Sequence, residues 1–156
     1  KTAYEIGQWL EFSVCSSDLV FTQKFNHIIV VTNQRGIGKG VTKLEDLELI
    51  HENMAAAIEK AGGRIDAVYF CADLDDTSPN RKPNPGMGLQ ALKDFPGIDL
   101  SKAIMIGNTL SDMEFGRNLG IQTVFLTTTG PEVDITDDRI DAVYDSLISF
   151  ANDLSG

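Results

Sequence analysis

The sequence predicts an α/β domain built on a mainly parallel sheet, and three observations lead there. Short apolar runs recur along the chain at Ile28–Val31, Ala67–Cys71, Ala103–Ile106, Thr123–Leu126 and Ala142–Tyr144. Each is too short for a helix and several are apolar on both faces, as strands covered on both sides are. Longer stretches with apolar residues at helical spacing separate them, the alternation expected of βαβ units. Finally, the runs end in polar residues or glycine: Thr32-Asn33-Gln34 after the first, Gly107-Asn108 after the third. Polar loops thereby collect at the carboxyl edge of the sheet, where open α/β folds bind ligands.

Taken in order, Lys1–Val14 reads as a loop with a short extended piece at Trp9–Phe12, and Leu19–Phe25 as a short helix behind Ser16-Ser17-Asp18. Four β-branched residues, Ile28–Val31, make the first strand. Thr42 and Glu45 have capping-box spacing, and Leu44, Leu47, Ile50, Met54 and Ile58 keep one helical face until Gly62-Gly63 stops it. After the Ala67–Cys71 strand comes a loop rich in Asp, Asn and Pro, from Asp73 to Pro85. Pro85 suits a first helical position with Asn84 as its cap, and the helix runs to about Phe95. The strand Ala103–Ile106 precedes a helix from Ser111 to Asn118, with Gly120 as its C-terminal stop. Thr123–Leu126 and Ala142–Tyr144 complete the sheet, and Asp145 or Ser146 caps a last helix to Leu154.

At 156 residues the chain suits a single domain, residues 1–156, with a real core. A net charge of −10 argues against a nucleic-acid or anionic-membrane surface. Cys15 and Cys71 form no disulfide framework, and no CxxC or Cys/His cluster occurs. A reducing, cytoplasmic setting is therefore expected, with no membrane span. The partner expected is a small phosphorylated metabolite, the chain itself being a monomer or small homo-oligomer.

Three strand ends carry the chemistry. Thr32, Asn33, Gln34, Arg35 and Gly36 offer hydroxyl, amide, cation and backbone N–H groups, a set suited to an anionic oxygen. Arg81 and Lys82 supply positive charge after the second run; Asn108 and Asp112 supply an amide and an acid after the third. Together these are components for a phosphoryl group and a divalent metal. Each also has a plainer reading. Thr32-Asn33 suits a strand-end turn, Arg81-Lys82 a solvated pair before a helix, and Asp112 the first turn of a helix. Gly36, Gly38 and Gly40 fit neither a dinucleotide nor a P-loop pattern, leaving a hinge or a cluster of N–H donors.

With these motifs in view, the chain resembles haloacid dehalogenase-type (HAD) phosphatases, in particular the branch of heptose 1,7-bisphosphate and histidinol-phosphate phosphatases. VVTNQRGIGKG resembles the second motif of that branch, Asn80-Arg81-Lys82-Pro83 the third, and GNTLSDMEFGRNLGI the fourth. The resemblance implies a HAD-like, Rossmannoid three-layer sandwich with a minimal cap and Mg²⁺-dependent hydrolysis of a phosphate monoester through an aspartyl-phosphate. Thr32 and Asn33 would hold the phosphoryl group, Lys82 would steady it, and Gln34, Arg35, Gly36 and Arg81 would meet the substrate. Asn108 and Asp112 would serve the metal, making Thr32, Lys82 and Asp112 the catalytic set.

Three departures matter. The fourth motif of the family usually opens Gly-Asp, whereas here Gly107 is followed by Asn108, so Asp112 must supply the carboxylate. The zinc-loop Cys/His set is missing before Arg81, and no zinc is expected. The Asp-x-Asp nucleophile motif, which belongs at the end of the first, central strand, has no match between Lys1 and Val31. That strand is accordingly expected upstream of Lys1. Asp73-Leu74-Asp75-Asp76-Thr77 mimics the missing motif, but it stands where the family has its variable specificity loop.

Overall fold

The protein is described here by a computed structural model covering residues 2–4, 24–40, 43–60, 63–127 and 134–155. Six strands form one parallel sheet: β1 (Thr2–Tyr4), β2 (Ile28–Asn33), β3 (Ala67–Cys71), β4 (Ile104–Gly107), β5 (Gln122–Leu126) and β6 (Ala142–Tyr144). Their order across the sheet is β3-β2-β1-β4-β5-β6. The helices are α1 (Arg35–Gly38), α2 (Leu44–Lys60), α3 (Gly86–Asp94), α4 (Leu110–Leu119) and α5 (Leu147–Ser155), with a 3₁₀ turn at Leu100–Lys102.

Successive side chains of a strand face opposite ways, and β2 uses both faces. Ile28 and Val30 join Ile106, Val124, Phe150 and Ala151 in a core beneath α5. Ile29 and Val31 join Met87, Ala91, Met105 and Phe115 in a second core beneath α3 and α4. Two cores on one sheet make three layers, the predicted architecture. Each fully buried β-branched or aromatic side chain contributes about 1.5–3 kcal/mol, which is why the apolar runs, rather than their flanks, became strands.

The amino-terminal segment departs from the sequence reading. Thr2–Tyr4 is a strand, not loop, and it fills the central slot: Tyr4 pairs with Val30 on one side and Ile106 on the other. The central position of the described sheet is held by these three residues, none of which carries a carboxylate. The physical reason is topological. Without a strand there, β2 and β4 would each leave an unpaired inner edge. The extended piece at Trp9–Phe12, the helix at Leu19–Phe25 and the Thr42 cap fall wholly or largely outside the described residues.

Helix ends follow their capping chemistry, with one exception. Thr109 accepts from the Asp112 backbone N–H at 3.2 Å to start α4, and Gly120, with φ of 74°, ends it in the left-handed region that glycine tolerates. Ser146 caps α5 through the Ser149 N–H at 3.1 Å. Asn84, expected to cap α3, does not do so: α3 begins after Pro85 with no side-chain cap. The Asn84 amide instead donates to the Ser78 carbonyl at 2.8 Å, tying down the preceding loop. No helix among the described residues is long and apolar enough to cross a membrane.

Candidate active site

The sheet reverses its winding between β1 and β4, since the chain builds β2 and β3 on one side and β4 to β6 on the other. A crevice opens at the carboxyl ends of strands at such a switch point. The polar strand ends of β2 and β4 flank it.

The centre of the site is an ion pair. Lys82 Nζ donates to Asp112 Oδ1 at 2.7 Å and to the Val31 carbonyl at 3.2 Å, and both charged side chains are almost wholly buried (1% and 0% exposed). The desolvation cost of two such charges is offset only by close mutual approach and by further hydrogen bonds. Those bonds are present: Asp112 Oδ2 accepts from the Asn108 backbone N–H at 3.3 Å. Gly107 makes the approach possible, because a Cβ there would lie 2.4 Å from Asp112 Cβ and Oδ2. Glycine at the strand end is a requirement of space.

Asn33 links the second and third motifs. Its Oδ1 accepts from the Lys82 N–H at 3.0 Å and its Nδ2 donates to the Lys82 carbonyl at 3.2 Å. Both ends of the carboxamide are thus spent on the backbone of one residue, so Asn33 positions Lys82. Thr32 is fully buried at the end of β2 and accepts from Gln34 Nε2 at 3.1 Å. Among the described residues its own hydroxyl reaches only the Asn33 carbonyl, at 3.5 Å, a weak use of the donor. Arg35 and Gly36 begin α1 immediately after this strand end. The glycine segment is therefore a short helical turn up to Gly38, followed by Gly40 at φ of 73°.

Arg81 lies beside this centre with its Nε on Asp76 Oδ1 at 3.0 Å. The Asp73–Thr77 segment, which mimics a nucleophile motif in sequence, is turned to other uses. Asp73 accepts from the Ser78 hydroxyl, and Asp75 accepts from the Thr77 N–H and hydroxyl at 2.9 and 2.8 Å. The segment follows β3, an edge strand, with β2 and β1 between it and the switch point.

Mg²⁺ takes oxygen ligands, usually including one or two carboxylates. Among the described residues no three His, Cys, Asp or Glu side chains gather where a metal would sit. The one buried acid of the site, Asp112, is committed through one oxygen to Lys82 and through the other to Asn108. Asn108 contributes no charge. The described donors alone do not fit a resident Mg²⁺, and such an ion would need a further carboxylate from outside them.

Sequence reading missed three contributors: the Val31 carbonyl, Gly107 and Asp76. Only Gly107 left a signal, a glycine between an apolar strand and a polar loop.

The comparisons with known proteins bear on the family and the fold. A HAD-hydrolase-like family model matches residues 79–149. A D-glycero-alpha-D-manno-heptose-1,7-bisphosphate 7-phosphatase of Campylobacter jejuni is 36% identical over 130 residues, covering 81% of this chain and 73% of the relative. One from Burkholderia mallei is 38% identical over 106 residues, covering 63% of this chain and 56% of that relative. The chain spans little more than half the length of several such relatives, 56% to 60%. In fold it is similar to the crystal structure of D,D-heptose 1,7-bisphosphate phosphatase from B. bronchiseptica complexed with magnesium and phosphate. That similarity has a TM-score of 0.81 and 22% identity, covering 99% of this chain and 98% of the other.

Proposed function

Because this chain belongs to the HAD-like hydrolase superfamily, we propose that it is a phosphatase domain acting on a phosphate monoester of a small metabolite, a sugar phosphate or bisphosphate. The observation that carries the reading is the buried Lys82–Asp112 pair at the switch-point crevice, tied by Asn33 to the end of β2. A lysine fixed in water-poor surroundings neutralises negative charge developing on phosphoryl oxygens with no reorganisation at the moment of reaction. Asp112 keeps that ammonium aimed, and the Thr32 hydroxyl is a donor for a phosphoryl oxygen. The nucleophilic carboxylate of an aspartyl-phosphate route, and the carboxylate that Mg²⁺ needs, come from outside the described residues. Relatives named as heptose 1,7-bisphosphate 7-phosphatases support a sugar bisphosphate as substrate. A cytoplasmic setting and an independence from nucleic acid and membrane belong to the same proposal.

A second reading is favoured by one observation: the central strand Thr2–Tyr4 has no acid. On that reading the domain binds phosphorylated ligands without hydrolysing them. Phosphate release from heptose 1,7-bisphosphate, measured with Mg²⁺ and with EDTA, separates the two. Release abolished by EDTA supports the phosphatase. Tight binding without release supports the binding module.

A further inference from the structure

Asn118, in the last turn of α4, donates through Nδ2 to the Pro83 carbonyl at 2.8 Å. The residue that follows seats the same turn against α3. A Cβ on Gly88 would lie 2.4 Å from Leu119 Cδ1, so glycine there leaves room for the Leu119 side chain. Asn118 thus reaches Pro83 from a platform fixed by packing. The stretch it holds carries the buried ammonium one residue earlier, at Lys82.

Two elements meet at Lys82, and each takes hold of this stretch twice. β2 gives the Val31 carbonyl to the ammonium and the Asn33 carboxamide to the backbone. α4 gives Asp112 to the ammonium at 2.7 Å and Asn118 to the backbone of the next residue. The Asn33 clamp sets Lys82 against β2 alone. The Asn118 bond ties the neighbouring backbone to the helix that bears Asp112, so the lysine stem and its ion pair are placed together.

As a staple the bond is weak. Asn118 is exposed, and a neutral hydrogen bond open to water adds little to folding stability. Asparagine is also a poorer helix former than alanine. As a guide it matters more, because the effect of a fixed charge on a phosphoryl group depends on placement to within about 1 Å.

We propose that Asn118 is a positioning residue: through the Pro83 carbonyl it holds Lys82 in register with Asp112 and so aims the ammonium toward the phosphoryl group. The aim toward phosphate rests on the phosphatase reading; the hold on the ammonium does not.

Two measurements on the full chain test this. Lys82 is the buried lysine among the described residues, so in ¹⁵N-lysine-labelled protein its ammonium gives a resonance protected from exchange with water. Asn118→Ala speeds that exchange by about fivefold, and Asn118→Asp, equal in shape but without the donor, does the same. In calorimetric titration with inorganic phosphate, affinity falls about fivefold in both variants. The melting midpoint of Asn118→Ala stays within about 2 °C of wild type, since the bond is exposed and alanine favours the helix. Wild-type ammonium exchange in both variants, wild-type phosphate affinity in both, or a binding loss that only tracks a large fall in midpoint each overturns the inference and leaves the phosphatase reading standing. A wild-type chain that binds no phosphate overturns that reading, and the ammonium resonance then decides the positioning role alone.

Discussion

Two loops of this protein carry acids at the same edge of the sheet and put them to opposite uses. Asp112, at the start of α4, has no exposed surface and spends its charge on Lys82. Asp73, Asp75 and Asp76, after β3, are exposed and bond to groups within their own loop. The Asp75 carboxyl is held below the usual carboxylate range by its two bonds to Thr77. Burial turns one carboxylate into half of a charge pair that neither partner can leave cheaply. Exposure makes the others local scaffolding. The same side chain is thus worth several kcal/mol in one place and tenths in another.

The largest break of that comparison is Lys82→Ala. It removes the buried ammonium facing Asp112, so a loss of about 3–5 kcal/mol is expected, read as a drop of about 10 °C or more in melting midpoint. Where phosphate release is measurable it should fall by about a thousandfold. The double variant Lys82→Met/Asp112→Asn sharpens the point: removing both charges restores most of the stability but no phosphate binding. Midpoints equal in the single and double variants would contradict the account.

Next comes Gly107→Ala, whose new methyl meets Asp112 at 2.4 Å. Overpacking against so confined a side chain costs about 1–3 kcal/mol, and phosphate affinity should fall with it, measurable by titration. A smaller effect separates a partly exposed acid from both extremes. Arg117 bonds Asp141 in a bidentate pair, and this, with bonds from Thr123, holds the Asp141 carboxyl below its usual range. A depressed folded value means stabilisation present above the unfolded value of about 3.9 and lost as pH falls through the folded one. Asp141→Asn should therefore cost about 1 kcal/mol at neutral pH, discounted for exposure, and less at pH 2. Urea denaturation at both pH values checks it. Smallest of all is Asp75→Ala, whose urea midpoint is expected to match that of wild type.

Much of this was legible in the chain. Ile28–Val31 announces a strand because a run of apolar residues bounded by polar ones has few other ways to be buried; Ala67–Cys71 and Ala142–Tyr144 are short apolar runs that form the two edge strands, where burial is only partial. Gly120 announces a helix end because its backbone geometry excludes most other residues. Thr2–Tyr4 announced nothing: its three residues owe their conformation to the vacant edges of β2 and β4, which exist only once the sheet does. Asn84 misled because a carboxamide finds loop carbonyls as readily as helix N–H groups. In the site, Thr32, Lys82 and Asp112 were legible as chemical types at strand ends. Their arrangement was not. Lys82 and Asp112 are 30 residues apart, and only the winding of the sheet decides that one reaches the other rather than a ligand or ion.

The central position of β1 bears on how the chain assembles. β2 with β3, and β4 with β5 and β6, pair between neighbours in sequence through single crossovers. β1 comes before both in synthesis, yet Thr2 finally pairs with Ile104, across most of the chain. A strand made before both halves of the sheet must wait for the far one. Closing so long a loop is slow and entropically unfavourable. Until it closes, two half-sheets face solvent along the edges that β1 will later join. A nascent chain of this topology is most exposed to mispairing after β4 has emerged and before Thr2–Tyr4 has found its place.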